Sequence, residues 1–434
     1  MEGRVNIRKH VSLNLDVRGL GQSATIAIND RCHSLRQNGK MVYRLGLGQS
    51  PFPVPRRVVK ALKLYAREKD YLPAAGLPHL RDAVAEFHRQ QDGIEAHRDN
   101  ILIGPGSKEL MFILQLVYYG ELVVPTPCWV SYVPQANILS RKISLVDTKA
   151  EDRWMVTAQM LEKHCQSEHD DFRPRILVLN YPSNPVGATY TEQELKDLAE
   201  VARKYQVILL SDEIYGQLNH RGKHISVARY YPEGTIISSG LSKWCGAGGW
   251  RLGTFTFPRE LDWLLESMTA VASETFTSVS APIQFAAVQA FKGGRSIERY
   301  LCHARRILKS LGNHCADLLR SADVNVSQPQ GGFYLFADFS SLKEKLASKG
   351  VYDSATMCEK LLSETGVAIL PGVAFERPLT ELTARMAYVD FDGARAMTVS
   401  ETIPLDQELP ESFIESNCYN VVRAVDAVVE WIKN

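Results

Sequence analysis

The middle of the chain alternates short apolar runs with amphipathic stretches. The apolar runs have the length and composition of buried strands and span 176–180, 207–211, 235–239 and 254–257. Between the first two, residues 191–206 carry leucine, valine and alanine at helical spacing, and Thr191 and Glu194 are spaced as a capping box at the helix start. Apolar strands separated by amphipathic helices predict the α/β class, with a mostly parallel sheet covered by helices on both faces.

An earlier unit of the chain has the same order of elements. Residues 101–120 begin as a strand, pass through a glycine-rich turn and continue as a helix, and residues 121–129 return to a strand. A chain of 434 residues is too long for one small core, so more than one domain is expected. We predict one large α/β domain over residues 51–300.

The remainder of the chain predicts a second, smaller α+β domain over residues 301–434. It opens with a long amphipathic helix and continues with a strand-like run at 331–339. Residues 1–50 are predicted to form an N-terminal arm and part of this small domain. The stretch 394–413 has no clear hydrophobic period and is therefore expected to be a loop or an insertion.

The charge balance argues against partners that are recognised mainly by charge. The chain has 50 basic and 49 acidic side chains, which gives no electrostatic reason to expect nucleic acid or an anionic membrane. No apolar stretch approaches the roughly 20 residues needed to span a bilayer. The first 40 residues hold seven Lys and Arg against three acids, as a targeting segment would, but a solvated arm is the preferred interpretation.

The cysteines and histidines give no sign of a metal site. None of the eight cysteines forms a C-x-x-C pair, and the eleven histidines show no H-E-x-x-H or similar spacing. The N-terminus lacks the charged-then-apolar pattern of a secretory signal. Free thiols in a reducing compartment are therefore expected, and we predict a cytoplasmic protein.

Polar segments follow three of the predicted strands at the point where each strand ends. They are NYPSNPVG (180–187), SDEIYG (211–216) and SGLSKWCGAGGWRLG (239–253). A fourth segment, GPGSKEL (104–110), ends a strand and opens a helix. Ligands of open α/β sheets bind at the carboxyl ends of the strands, and helix N-termini offer free N–H groups to phosphate. We therefore expect these four segments to meet at one crevice.

Three side chains of these segments together describe a cofactor site. Lys243 can form a Schiff base with an aldehyde, Asp212 can pair with a protonated ring nitrogen, and Arg251 can grip a phosphate. Alone, each has a simpler explanation as a solvated lysine, a turn residue or part of a structural glycine loop. Their joint occurrence in this order predicts pyridoxal 5′-phosphate (PLP) bound to Lys243.

The combination of NYPSNPVG, SDEIY and S-K-x7-R-x-G resembles the class I (fold type I) PLP-dependent aminotransferases. The resemblance is strongest to the branch that holds bacterial-type aspartate, aromatic and kynurenine aminotransferases, and its motifs cover most of the chain. It implies the PLP-dependent transferase fold of type I and a homodimer. It also implies exchange of an amino group between an L-amino acid and a 2-oxo acid.

The resemblance further implies a role for each matched residue around the cofactor ring. Lys243 would hold PLP and later move the proton, and Asp212 would keep the pyridine nitrogen cationic. Asn184 and Tyr215 would hydrogen-bond the ring hydroxyl. Trp129 would stack on the ring, although a core tryptophan in a strand-to-helix turn is the simpler alternative.

Other matched residues would bind the phosphate and the substrate. The phosphate would be held by residues of two loops, namely Ser242, Arg251 and the backbone N–H groups of Gly106, Ser107 and Lys108. Tyr71 would reach the phosphate of the neighbouring subunit. Arg385 would pair with the α-carboxylate of the substrate, in a pocket that Gly48 and Asn184 line.

Two rival functions remain open for the sequence. A PLP-dependent lyase that catalyses β- or γ-elimination would need the same cofactor residues, and its product, such as pyruvate with ammonia, would distinguish it from a transaminase. A non-catalytic PLP-binding regulator is disfavoured, because about 40 residues precede the motif at 45–55, too few for a DNA-binding module and its linker. The amino acid and 2-oxo acid are not determined, since no second cation for a side-chain carboxylate is assigned.

Overall fold

The computed structural model describes residues 13–167 and 174–434 of the chain. The N-terminal segment is interpreted as a solvated arm or a targeting segment from its basic residues. Of these residues, Arg4, Arg8 and Lys9 lie outside the described part of the chain. Within the described ranges, no helix combines the length and the apolar character needed to cross a membrane.

In the described part of the chain, the strands form two larger sheets and one short pair. In chain order they are β1 (Tyr43–Arg44), β2 (Ile101–Gly104), β3 (Glu121–Thr126), β4 (Ile143–Asp147), β5 (Arg175–Asn180), β6 (Ile208–Asp212), β7 (Thr235–Gly240), β8 (Gly253–Thr256), β9 (Tyr334–Asp338), β10 (Val367–Ala368), β11 (Leu370–Pro371) and β12 (Thr383–Ala387). The predicted strands at 176–180, 207–211, 235–239 and 254–257 are each found within one residue of the expected bounds.

The largest sheet has seven strands in the order β2-β8-β7-β6-β5-β3-β4. The pairs β3–β4, β3–β5, β5–β6 and β6–β7 are parallel, whereas β8 runs antiparallel to both of its neighbours, β2 and β7. The mostly parallel sheet predicted from the sequence is therefore confirmed. Because β8 reverses direction, β2 and β7 point the same way, and their carboxyl ends lie at the same edge as those of β3, β5 and β6.

Helices cover the sheet and build the rest of the molecule. The α-helices span Ala24–Gln37, Arg56–Tyr65, Pro78–Asp92, Ser107–Val117, Tyr132–Ile138, Ala158–Ser167, Glu192–Lys204, Asp262–Glu274, Ala281–Phe291, Arg295–Arg320, Lys343–Ser348, Ser354–Thr365, Gly393–Ser400, Glu411–Asn417 and Tyr419–Lys433. The predicted capping box is present, since the Thr191 side chain accepts from the Glu194 N–H and the Glu194 carboxylate accepts from the Thr191 N–H at 2.7 Å.

The sheet is buried on both faces, which explains why its strands are continuous apolar runs. Along β5, Ile176 and Val178 pack into one apolar cluster, while Leu177 and Leu179 pack into another on the opposite face. This alternation follows from the two-residue period of a strand. The first cluster includes the helix Ser107–Val117, and the second includes the helix Glu192–Lys204.

The C-terminal part of the chain holds a smaller antiparallel sheet in the order β11-β12-β9. Near the N-terminus, β1 pairs in parallel with β10, with Tyr43 opposite Val367. The long helix predicted to open this part spans Arg295–Arg320. The domain boundaries at residues 50 and 300 remain a prediction.

The expectation of a loop or insertion over 394–413 is wrong for about half of that stretch, whereas residues 401–410 contain no helix or strand. It contains most of the helix Gly393–Ser400, which Asp392 caps by accepting from the Arg395 N–H at 3.0 Å, and the start of the helix Glu411–Asn417. Between them, Arg306 donates to backbone oxygens, including that of Pro404 at 2.8 Å. The two helices have eight and seven residues, too few for a hydrophobic period to be recognised in the sequence.

Candidate active site

The four polar segments predicted to meet do come together at the carboxyl edge of the seven-stranded sheet. Gly253, at the start of β8, lies opposite Gly104 at the end of β2 and Gly240 at the end of β7. On the next strands along the sheet, Asn180 and Asp212 end β5 and β6 as paired residues. The convergence therefore follows from the strand order.

These segments surround a cavity of about 500 Å³. Its walls include eleven of the residues predicted for the site, namely Gly48, Ser107, Lys108, Trp129, Asn184, Asp212, Tyr215, Ser242, Lys243, Arg251 and Arg385. Gly106 lies directly behind Ser107 as the residue that caps the helix start. Tyr71 is not in the cavity wall; its side chain is 91 % exposed.

Lys243 lies in the loop after β7, and its amine reaches the middle of the cavity wall. Its Nζ donates a hydrogen bond to the Gly48 carbonyl at 2.9 Å and lies 5.7 Å from the centre of the Tyr215 ring. Burial lowers the pKa of Lys243 to about 8, and the guanidinium groups of Arg385 and Arg251 act in the same direction. An amine with such a pKa is partly neutral near pH 8, which is the form that attacks an aldehyde.

Asp212 is a buried carboxylate held by neutral donors. The Tyr132 hydroxyl donates to its Oδ2 at 2.7 Å, and the Ser238 hydroxyl donates to its Oδ1 at 3.4 Å. Burial raises the pKa of Asp212 to about 6, although the bond from Tyr132 opposes that rise. A cation beside this carboxylate would stabilise its ionised form.

Arg385 comes from β12, in the C-terminal sheet, and is 1 % exposed. Its Nη1 donates to Asn184 Oδ1 at 3.0 Å, and its Nη2 donates to the Gly46 carbonyl. The guanidinium lies between the rings of Tyr334 and Phe375, with ring centres 4.7 and 4.9 Å away. Its Nε has no hydrogen-bond partner among the described residues, so a buried donor is left for an anionic ligand.

Asn184 and Tyr215 line the cavity near Arg385. The oxygen of the Asn184 amide accepts from Arg385, which leaves the amide N–H groups to donate elsewhere. The Tyr215 hydroxyl forms a 2.8 Å hydrogen bond with the hydroxyl of Tyr334. Burial raises the pKa of Tyr215 well above its usual value, and Tyr334 contributes to the rise, so the phenol stays protonated and can donate.

The loop before the helix Ser107–Val117 forms a cradle with little room for side chains. Gly106 has a φ of 94°, and a Cβ there would lie 2.3 Å from Nη2 of Arg251. A Cβ on Gly253 would lie 2.2 Å from the Ser107 backbone nitrogen. Both glycines let the helix N-terminus approach Arg251, and N–H groups at a helix start suit phosphate.

At position 48 as well, the structure leaves no room for a side chain. A Cβ at this position would lie 1.9 Å from the Tyr334 hydroxyl. The absent side chain therefore lets Tyr334 reach Tyr215 and lets the Gly48 carbonyl reach Lys243. The position was predicted for the substrate pocket, and it lines the cavity.

Among the residues of the site that the sequence analysis missed, three have polar side chains that contact the predicted residues Asp212 and Tyr215. Tyr334 and Asn180 line the cavity, and Tyr132 supports Asp212 from behind it. Asn180 donates to the Asp212 carbonyl at 2.9 Å and opens the NYPSNPVG segment, so its place next to Asn184 was a usable signal. Tyr132 follows Trp129 by three residues, and Tyr334 lies in the strand-like run at 331–339. Neither spacing alone indicates what the hydroxyl contacts.

Residues 40–388 match the family model for aminotransferases of class I and II. The chain belongs to the class I and II aminotransferases. This membership confirms the family predicted from the motifs, and with it the predicted activity, the exchange of an amino group between an amino acid and a 2-oxo acid. Aminotransferases of this family depend in general on PLP.

Among characterised relatives of this aminotransferase is the aspartate aminotransferase of Bacillus subtilis, 31 % identical over 371 residues, which are 83 % of this chain and 91 % of the relative. The asparagine–oxo-acid transaminase of Streptococcus mutans is 29 % identical over 377 residues, covering 84 % and 92 % of the two chains. A solved structure of Thermus thermophilus aspartate aminotransferase with maleate superposes with a TM-score of 0.81 at 26 % identity, over 96 % of this chain and 99 % of that one. The likeness confirms the predicted fold.

The residues of this aminotransferase fit PLP on three structural points. The neutral donors around Asp212 leave a buried carboxylate that a cationic ring nitrogen would pair with. The glycine cradle beside Arg251 has room for a phosphate but not for a Cβ at Gly106. Lys243 lines the same cavity, with a pKa lowered to about 8. A carboxylate, an amine and a phosphate cradle around one cavity suit a ring with an aldehyde and a phosphate arm.

Proposed function

We propose that this aminotransferase carries PLP on Lys243 and transfers the amino group of a dicarboxylic amino acid such as aspartate. The geometry around Arg385 and Lys243 supports the proposal most directly: a buried guanidinium with a free Nε and an amine with a lowered pKa share one cavity. The names of the relatives, aspartate aminotransferase and asparagine–oxo-acid transaminase, support the same class of substrate.

Each residue of the cavity then has a task in holding the cofactor. Lys243 Nζ binds it covalently, and Asp212 pairs with its ring nitrogen. Asn184 and Tyr215 donate to the ring hydroxyl, and Trp129 covers the ring. The phosphate lies in the cradle formed by Ser242, Arg251 and the N–H groups of Gly106, Ser107 and Lys108. When bound, PLP withdraws electrons from the substrate Cα.

The substrate is held by the same walls. Arg385 donates to the α-carboxylate from its Nε and Nη atoms, which fixes the Cα beside Lys243. Once the amino acid has entered, the Lys243 amine is free and takes the proton from the Cα. A pKa near 8 suits this task, because the amine is neutral in a useful fraction of molecules and still basic.

Lys108 is proposed to receive the second carboxylate of the substrate. Its side chain lines the cavity, and its Nζ lies over the Trp129 ring, 5.2 Å from the centre. Burial lowers the pKa of Lys108, and the Arg251 guanidinium contributes, so an anion beside it would stabilise the charged form. The sequence analysis assigned only the backbone of this residue, to the phosphate.

We also propose a cytoplasmic homodimer in which Tyr71 reaches the phosphate of the neighbouring active site. The large, exposed Tyr71 side chain supports this, because an aromatic ring that contributes nothing to its own cavity is available to a second copy. Mixing a Tyr71→Phe chain with a Lys243→Ala chain tests it. Restored activity in the mixed dimer, above that of either variant alone, is expected.

Half-reaction spectra with single amino acids test the substrate. The PLP-loaded enzyme is mixed with aspartate or with alanine, and absorbance reports conversion of the Lys243-bound cofactor to its amino form. Aspartate is expected to react faster than alanine. Lys108→Met should lower the ratio of the half-reaction rate constant to KM by about tenfold for aspartate and leave that ratio unchanged for alanine. Lys63→Met, on an exposed helix face, is the matched control.

The products decide between transamination and elimination. Oxaloacetate with the amino group retained on the enzyme is expected from aspartate. Pyruvate with ammonia from an activated substrate, and no exchanged amino group, would contradict the proposal in favour of a lyase. Equal loss for aspartate and alanine in Lys108→Met would leave transamination intact but overturn the role of Lys108.

A further inference from the structure

A tyrosine behind the cavity contacts two groups of the proposed cofactor site at once. Tyr132 begins the helix Tyr132–Ile138 and is 2 % exposed. Its hydroxyl donates to Asp212 Oδ2 at 2.7 Å. Its ring meets the Trp129 ring edge-on, with 5.2 Å between centres and 84° between planes.

The bond from Tyr132 is the shorter of the two side-chain hydrogen bonds to Asp212. Ser238 donates to the other carboxylate oxygen at 3.4 Å, near the limit for a hydrogen bond. The backbone N–H of Ile214 also donates to the carboxylate. Because a hydrogen bond to a charged acceptor favours the ionised form, loss of the Tyr132 hydroxyl would make Asp212 easier to protonate.

Titratable groups from the neighbouring elements also face Asp212. Glu213 follows it in the chain and disfavours its charge, whereas the amine of Lys243, in the loop after β7, favours that charge on electrostatic grounds. Glu213 is itself paired with His224 at 2.8 Å; burial lowers the His224 pKa, but the Glu213 carboxylate outweighs burial and leaves that pKa raised. The phenol of Tyr215 is neutral. The charge of Glu213 is thus balanced locally, and the Tyr132 hydroxyl forms the shorter of the two side-chain hydrogen bonds that stabilise the Asp212 carboxylate.

We propose that Tyr132 is a positioning residue that holds the Asp212 carboxylate ionised and directs its second oxygen toward the cofactor ring nitrogen. The bond to Oδ2 fixes the rotation of the carboxylate, and the long bond from Ser238 leaves Oδ1 able to accept from a stronger donor. Tyr132 also contacts Trp129, the residue proposed to cover the cofactor ring, so one side chain supports both groups. This inference rests on the proposed function, because it needs PLP beside Asp212.

The test is Tyr132→Phe, which keeps the ring against Trp129 and removes only the hydroxyl. The affinity of the apoprotein for PLP is measured from pH 5 to pH 9 by absorbance. Binding needs ionised Asp212 and is lost as the pH falls through its pKa. Without the hydroxyl that pKa rises, so the fall in affinity should begin about one pH unit higher.

Tyr190→Phe is the matched control, because Tyr190 is also a buried tyrosine that packs against another ring, 5.2 Å from Tyr181. Its hydroxyl bonds the backbone of Val156 rather than Asp212. The control should leave the pH dependence of PLP affinity unchanged. A shift of equal size in both variants would overturn the proposal, since a general packing effect would then explain it.

Two further measurements separate the role of the hydroxyl from that of the proposed site. With a PLP analogue in which C–H replaces the ring nitrogen, Tyr132→Phe should have no effect on affinity. On an Asp212→Asn background, Tyr132→Phe should likewise add no further loss. An undiminished effect in either setting overturns the role of Tyr132. If Asp212→Asn alone leaves PLP affinity and turnover unchanged, the proposed cofactor site is overturned as well. If Asp212→Asn lowers PLP affinity and turnover but Tyr132→Phe changes neither, only the proposed role of Tyr132 is overturned.

Discussion

Replacing Arg385 by lysine tests the proposed carboxylate grip most sharply. Lysine keeps the charge but lacks the planar fork of donors. In the structure two of the guanidinium nitrogens already bind Asn184 and Gly46, and Nε is the unpartnered donor. The variant therefore loses at least one hydrogen bond to the α-carboxylate, while a single ammonium must replace three nitrogens.

The expected loss follows from the strength of such a bond. A hydrogen bond to a charged partner contributes about 1.5–3 kcal/mol, which corresponds to about a ten- to hundredfold fall in kcat/KM. Both half-reactions should show the fall, because the amino acid and the 2-oxo acid present the same carboxylate. Affinity for PLP should stay within about twofold of the wild-type value, since Arg385 is proposed to contact the substrate and not the phosphate.

Arg377→Lys provides the matched control for burial. Arg377 is also buried and stacks on a ring, 5.0 Å from the centre of Trp154, but it pairs with Glu381 and lies outside the cavity wall. It should lower the melting temperature without lowering kcat/KM. Steady-state kinetics, PLP titration and thermal unfolding of both variants are needed. Near-wild-type kcat/KM for a folded Arg385→Lys, or a fall explained entirely by lost PLP, would refute the reasoning.

Further predictions concern the cofactor amine, the phosphate cradle and one helix start. Lys243→Ala should lose turnover by orders of magnitude and lack the absorbance band of lysine-bound PLP; near-wild-type transamination would contradict its role. The rate of PLP capture by the apoprotein should rise with pH and reach half its maximum near pH 8, the lowered pKa of Lys243, because the neutral amine attacks; a midpoint near pH 10 would count against the buried amine. Gly106→Ala should weaken PLP binding by about tenfold, because of its φ of 94° and the contact with Arg251, whereas Gly21→Ala, outside the cavity wall and with open space around the added Cβ, should not. Thr191→Ala should lower the free energy of unfolding by about 1 kcal/mol in denaturant titrations and leave kcat/KM unchanged; an altered kcat/KM would show that the capping box acts on the site.

Much of the site could be predicted because its residues lie in short segments at strand ends. The pattern of apolar runs located β5, β6 and β7, and the polar segments after them contain Asn184, Asp212 and Lys243. A parallel sheet brings such strand ends to one edge whatever the rest of the chain does. The limits of the approach appear at 394–413, where two short helices were taken for a loop, because eight residues or fewer do not establish a helical period.

The sequence by itself determined most strands of the large sheet, the order of the cofactor motifs and the family, since each is a local pattern or a set of local patterns. Only the tertiary structure decided which hydroxyl supports which group. Tyr132 contacts Asp212 across 80 residues of sequence, Tyr334 contacts Tyr215 across 119, and Arg385 contacts Asn184 across 201. Such contacts depend on how helices and sheets pack, and hydrophobic periodicity reports only which face of an element is buried. The partner that the face meets is a property of the whole fold.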